Sequence, residues 1–272
     1  MNEVHTTAPI KGIGLMIVSV FFMNLNNALL KWLSGSYPAS QIIFMRSVVM
    51  ILLVLLIAGL SSEFSIIKTR NLAAHGCRGL LQLLNGIFFV LAVTYLPLAE
   101  TVALTFAAPL FLTALAIPLL GEKVGWRRWM AVIAGFVGIL IVARPVEGTL
   151  QLAMFFPLIA ALTGAVRDII TRKLTAYENS LSILFSSSLI AVVGSLPASF
   201  LNVESLSWVI PGLYDAILVL LTGLCVAAGH YFMIETFRFA EAKIVAPFRY
   251  TGIMWATILG YIIWEQVPDA YT

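Results

Sequence analysis

Nine stretches of about 20 mostly apolar residues follow one another along the chain, at 12–34, 41–61, 77–97, 99–120, 127–144, 150–171, 180–201, 212–235 and 243–264. A helix rising 1.5 Å per residue needs about this length to cross a hydrocarbon layer roughly 30 Å thick. The runs lack period-two alternation and are too long for barrel strands, which excludes a closed β-barrel. The linkers between them (SGSYP, YLPL, GEKVGWRR, RPVEG) leave no room for a soluble domain. Composition agrees: 61% of residues are hydrophobic and 11% charged, against about 45–50% and about 25% in a soluble domain. The pattern specifies an all-α integral membrane protein.

The net charge of +3 is scattered between apolar runs and forms no basic face, so nucleic acid is excluded as a partner and membrane lipids are implied. Lysine and arginine cluster on alternate loops. Lys11; Lys68, Arg70 and Arg78; Lys123, Arg127 and Arg128; Arg172 and Lys173; and Arg238 and Lys243 fall on one side, with only Lys31 and Arg144 on the other. By the positive-inside rule the N-terminus is cytoplasmic, and Arg78 is expected at the solvated boundary. The first run is too long for a signal-peptide core and lacks a cleavage pattern, so it is read as a retained helix. Cys77 and Cys225 read as buried reduced thiols. His5, His75 and His230 are too far apart in sequence for metal-ligand spacing. KGIGL is a lone GxG, and no phosphate loop or catalytic motif occurs. No cofactor and no metal are expected.

The chain contains an internal repeat. PLAETVALTFAAPLFLTALAIPLLGEKV (97–124) lies without gaps, at an offset of 143, over the window beginning at Ala240. Glu122 falls on Glu265, Val124 on Val267 and Pro109 on Gly252, and ALLKWLSGSYPAS (28–40) resembles IITRKLTAYENS (169–180). Spans 1–5 (11–145) and spans 6–9 (150–272) thus read as two copies of one unit, the second incomplete. Five spans per copy makes the orientations opposite, a recurrent plan of secondary transporters. The closing WEQVPDAYT reads as a short loop leading into a tenth helix.

The stretches YLPLAETVALTFAAPLFLTALAIPLLGEK (95–123) and VGWRRWMAVIAGFVGILIVARP (124–145) resemble the first EamA domain of the drug/metabolite transporter superfamily, and the second half resembles the other copy. VRDIITRKL (166–174) and VAPFRYTGIMWATILGY (245–261) are similar to bacterial riboflavin and S-adenosylmethionine transporters of that superfamily. The resemblance implies two inverted five-helix repeats forming a helical basket in the bacterial inner membrane, around a cavity for a small-molecule metabolite. By the same resemblance the tenth helix is absent from this chain.

Polar groups at membrane depth are the first candidates for a substrate path. Asn24 and Asn27 share a stripe on span 1, continuing to Lys31, and Gln82 and Asn85 lie a turn apart on span 3. Arg167 and Asp168 end a long uncharged run. Adjacent residues point about 100° apart on a helix, so the two are not expected simply to neutralise each other. Asp168 has Arg172 at i+4, or Arg249 or Arg46 from other spans, as partners. Arg46 is within snorkelling reach of the outer interface. Arg249 and Tyr250 follow Pro247, which opens the backbone, and can together hold an anionic or aromatic group. The candidate substrate-binding set is Asn24, Asn27, Gln82, Asn85, Arg167, Asp168, Arg249 and Tyr250, with helix breaks at Pro109, Pro247 and Gly252.

A secondary transporter moving a small polar or amphipathic metabolite by alternating access is the leading reading. The metabolite would be riboflavin-like, S-adenosylmethionine-like or amino-acid-like. An intramembrane lipid-modifying enzyme would need acidic, histidine or cysteine clusters that are missing. A non-transporting scaffold or fragment is the third reading, and a homodimer is left open.

Overall fold

Prolines, glycines and one asparagine set the ends of the helices. In the structure, a computed structural model, residues 8–33, 35–61, 67–96, 101, 104–122, 124–143, 152–198 and 207–264 are described. Helix α1 (Pro9–Leu33) starts on a proline, whose missing N–H would be unpaired there anyway. Helix α2 (Ala39–Leu60) follows the extended Pro38. Helix α3 (Leu72–Tyr95) begins five residues before the apolar run because the Asn71 side chain caps it, accepting from the Ala74 N–H at 3.0 Å. Helix α4 (Ala108–Leu120) ends at Gly121, whose φ of 68° suits only glycine well. Then come α5 (Trp126–Ala143), α6 (Phe155–Leu174), α7 (Ser180–Ala198) and α8 (Leu213–Phe239). Among the described residues there is no strand.

Two of the apolar runs are not continuous helices. The ninth is divided into α9 (Ala242–Val245), a 3₁₀ turn over Ala246–Tyr250 containing Pro247, and α10 (Thr251–Trp264). The fourth is interrupted by a turn at Phe106–Ala107, after which α4 starts with Pro109 in its first turn. Gly252 sits one residue inside α10 rather than at the break. It allows close approach, since a Cβ there would lie 2.9 Å from Phe106 Cζ.

Helices α1, α2, α3, α7 and α8 are long and apolar enough to cross a membrane. Large apolar side chains such as Leu52, Leu56, Leu60, Ile217 and Leu220 stay exposed on them, as a lipid-facing surface requires. The main packing joins early spans to late ones. Helix α1 packs on α8 and α3 on α6; α2 packs on α7; α2 meets α8 and α3 meets α7; α4 lies on α6 and α1 on α10. One buried cluster of Met16, Leu112, Ile169, Phe237 and Val245 draws on spans 1, 4, 6, 8 and 9 together.

Small residues let these helices approach. A Cβ at Gly79 of α3 would fall 2.9 Å from Ile190 Cβ of α7, and one at Gly194 of α7 would fall 2.2 Å from Leu83 Cδ2 of α3. Two expectations are corrected here. Cys77 is exposed on the outer face of α3, and only Cys225 is buried, both as free thiols. Arg78 is 2% exposed rather than solvated. The side chain of Lys31 and residues 265–272, on which part of the repeat match falls, lie outside the described residues.

Gly223 of α8 faces Val49, whose branched Cβ would stand 2.5 Å from an added Cβ, while Gly59 meets nothing within 4 Å. Gly223→Ala should therefore lower stability by about 1–3 kcal/mol through overpacking, and Gly59→Ala should not. Thermal unfolding of the two purified variants in one detergent checks the contrast.

Candidate functional site

The break in span 9 matters because of where it puts Arg249. A proline inside a helix removes one backbone hydrogen bond, and here the chain tightens into the 3₁₀ turn. At its end the Arg249 guanidinium donates to Asp168 Oδ2 of α6. The other carboxylate oxygen, Asp168 Oδ1, accepts from Arg167 Nε at 3.0 Å and Nη2 at 2.8 Å. The expectation that neighbours on one helix would not neutralise each other fails. The arginine side chain is long enough to fold back and meet the carboxylate with two nitrogens. Arg172 takes a different partner, donating to the Phe237 carbonyl.

From Arg167 the network crosses to α3 and then to α8. Arg167 Nη1 donates to Gln82 Oε1 at 2.9 Å, and Gln82 Nε2 contacts His230 Nε2 at 2.9 Å. Below it, Arg78 donates to Thr171 Oγ1 at 2.8 Å and to Ser187 Oγ. Thr171 Oγ1 in turn donates to the Arg167 carbonyl at 2.8 Å.

This network borders a cavity of about 220 Å³. Six of the eight residues singled out from sequence line it: Asn24, Asn27, Gln82, Asn85, Arg167 and Arg249. Asn85 anchors to the Ala160 carbonyl at 2.6 Å and Asn24 to the Val20 carbonyl at 2.9 Å, so each is held by backbone and presents its carbonyl oxygen elsewhere. The other two residues are off the wall. Asp168 is 1% exposed and sits behind Arg167 and Arg249 as their shared counter-ion. Tyr250 stacks on Phe106 at 5.9 Å and donates to the Val132 carbonyl of α5 at 2.9 Å, fixing the broken helix to its neighbour. Pro109 lines the cavity and Pro247 does not.

Arg46 and His230 also line the cavity. The sequence leaves Arg46 between the outer interface and Asp168 as a partner, and it singles out His230 only to exclude metal-ligand spacing. The signal for Arg46 was its place two turns inside an uncharged run; that for Arg78 was its i+4 spacing to Gln82. Among the described residues no hydrogen bond or ion pair engages the Arg46 guanidinium. Outside the spans, Glu122 accepts from the backbone N–H groups of Ala242 at 3.2 Å and Lys243 at 3.0 Å, and burial pushes its carboxyl up. It ties the link after α4 to the start of span 9.

The model of the EamA-like transporter family matches residues 10–144. Those residues place the chain among the EamA-like transporters. An S-adenosylmethionine uptake transporter of Rickettsia bellii is 28% identical over 100% of this chain and 91% of its own. A pseudopaline exporter of Pseudomonas aeruginosa is 26% identical over 96% of this chain and 90% of its own. A riboflavin transporter of Rhizobium johnstonii is 25% identical over 94% and 84%. A solved crystal structure superposes with a TM-score of 0.74 over 97% of this chain and 90% of its own, at 17% identity; that likeness shows the fold. The named relatives are transporters, not enzymes, and this EamA-like chain is a multi-pass membrane transporter of a small metabolite.

In such a transporter a buried counter-ion is a point of vulnerability. Asp168→Asn leaves two guanidinium groups facing each other and should destabilise the fold by about 3–5 kcal/mol. Arg249→Met, which keeps the Arg167–Asp168 pair, should cost less. The double variant should be more stable than the sum of the single effects indicates, and a thermal-unfolding double-mutant cycle measures that coupling.

Proposed function

We propose that the chain is a secondary transporter that carries a small metabolite bearing an anionic group, bound in the 220 Å³ cavity against Arg249 and Arg167. The carrying observation is the charge at the wall. Two guanidinium groups share one carboxylate, so this cluster keeps one positive charge. A substrate carboxylate or phosphate can take a free N–H edge of either arginine, and such charge-assisted bonds are the strong ones. The apolar remainder of the wall, including Phe89, Phe106 and Met233, suits an amphipathic body. The relatives named for S-adenosylmethionine, pseudopaline and riboflavin bring the metabolite class to this chain. They include both an uptake transporter and an exporter, so direction is left to measurement.

The transport cycle we infer is alternating access between two inverted repeats, 11–145 and 150–272. The packing pattern supports it, because exchanging the halves leaves the pattern unchanged. Helix α1 on α8 matches α6 on α3, and α2 on α8 matches α7 on α3. The breaks at Phe106–Ala107 and Arg249–Tyr250 occupy matching positions and touch each other through the Phe106–Tyr250 stack. The basic loops favour an inner-membrane orientation with a cytoplasmic N-terminus.

Uptake into proteoliposomes, without ATP, tests the reading with a panel containing S-adenosylmethionine, riboflavin and amino acids. A carboxylate-bearing member should be carried, its neutral amide should compete at least tenfold more weakly, and Arg249→Gln should raise the half-saturating concentration at least tenfold. Arg249→Lys, which keeps the charge, should retain part of the activity. If no panel member is moved or bound and Arg249→Gln behaves as the wild type, the cavity is not the substrate site.

A further inference from the structure

The hydrogen bonds around Gln82 fix the proton on His230. An arginine can only donate, so Arg167 Nη1 must meet the carbonyl oxygen of Gln82, as it does at 2.9 Å. The Gln82 nitrogen then faces His230 Nε2 as a donor, so that ring atom accepts and the imidazole carries its single proton on Nδ1. His230 is 7% exposed, and its Nδ1 is buried with no partner among the described residues. A buried N–H donor without an acceptor is rare and costly.

This orphan donor belongs to a residue lining a second void, of about 20 Å³, enclosed by α2, α3, α7 and α8. Arg46, Arg78, Gln82, Ser187 and Ser188 share that lining with His230, and among the described residues no carboxylate does. Arg78 is 2% exposed and spends its bonds on two neutral hydroxyls. The Arg46 guanidinium is engaged by no group among the described residues. Asp168, the carboxylate that acts on Arg78 from a distance, is already committed to Arg167 and Arg249. Two guanidinium charges therefore border one small void without an acid between them, among Ile43, Met50 and Leu83. An unpaired charge in such surroundings costs several kcal/mol even after relaxation.

A single water would satisfy one N–H and leave both charges. A void this size holds about one atom-sized occupant, too small for a carboxylate or phosphate end of a metabolite. We propose that it is a binding site for a monatomic inorganic anion, chloride, held by Arg46, Arg78 and His230 Nδ1–H. The ion would pin four helices that come from both halves of the chain. It would also screen Arg46, which faces the large cavity too, so that a substrate anion is drawn to Arg249 instead.

The test is on the purified full chain in detergent, with sodium chloride replaced by sodium gluconate at equal ionic strength. Stability should rise saturably with chloride, bromide should substitute, and sulfate should not. Crystals grown in bromide should show an anomalous peak between Arg46 and Arg78. Arg46→Met should raise the half-saturating chloride concentration at least tenfold. Ser188→Val, which fills the void, should weaken the response likewise and serves if Arg46→Met does not fold. Equal stability in chloride and gluconate, or no bromide peak, means that water fills the void and overturns the proposal. So does displacement of bromide by a transported metabolite, because the void would then hold the substrate's own anionic end. Chloride-dependent stability in a chain that neither carries nor binds any of the panel would sink the substrate-site reading and leave the anion site standing.

Discussion

The Asp168 carboxylate is the constraint on which the rest of this structure depends. It lies at membrane depth with 1% of its surface exposed, and it faces Arg167 of its own helix and Arg249 of span 9. A lone carboxylate there would be strongly disfavoured, as would either arginine. Together they carry one net positive charge instead of two isolated cations and an isolated anion. The pairing also fixes geometry. It binds α6 to the 3₁₀ turn, and Gln82 and His230 are oriented in sequence from the Arg167 end. Through this pairing the cavity-lining Arg249 is tied to α6.

That coupling needs a helix that can be bent without loss. Span 9 achieves it with Pro247, and the freed backbone is acceptable because protein and a cavity surround it rather than lipid. Span 4 has its own interruption at Phe106–Ala107, and the two breaks brace each other. Tyr250 stacks on Phe106, and Gly252 removes the side chain that would otherwise collide with the Phe106 ring. At the 143-residue offset Phe106 falls on Arg249, so the cavity is lined by charge on one side and by an aromatic ring on the other.

The architecture was legible because membrane spanning writes itself into length and hydropathy. The apolar runs, the polar stripes of Asn24–Asn27 and Gln82–Asn85, and the proline before Arg249 were all readable without coordinates. Depth and direction were not. Arg78 and Arg46 look alike in sequence, each a cation near one end of an apolar run. Only the packing of α3 against α6 and α7 buries the first, and only the cavity between the halves receives the second. The Arg167–Asp168 pair was misread for a related reason. Helical wheels place Cβ atoms, and a guanidinium several bonds further out is free to return to its neighbour. Asp168 and Tyr250 stand out by type as candidate substrate-binding residues, but off the cavity wall one is a counter-ion and the other a brace.

Charge placement explains why a site this polar can exist inside an apolar chain. The arginines are not gathered on one helix; Arg46, Arg78, Arg167 and Arg249 come from four spans and all lie within electrostatic range of His230. Three of them find acceptors on other spans only when the helices are assembled: Thr171 and Ser187 for Arg78, Gln82 for Arg167, Asp168 for Arg249. Assembly is thereby tied to charge compensation. Among the described residues Asp168 is the one carboxylate bonded to these arginines, so the assembled cluster keeps an excess of positive charge beside the cavity, which is the basis for proposing an anionic solute.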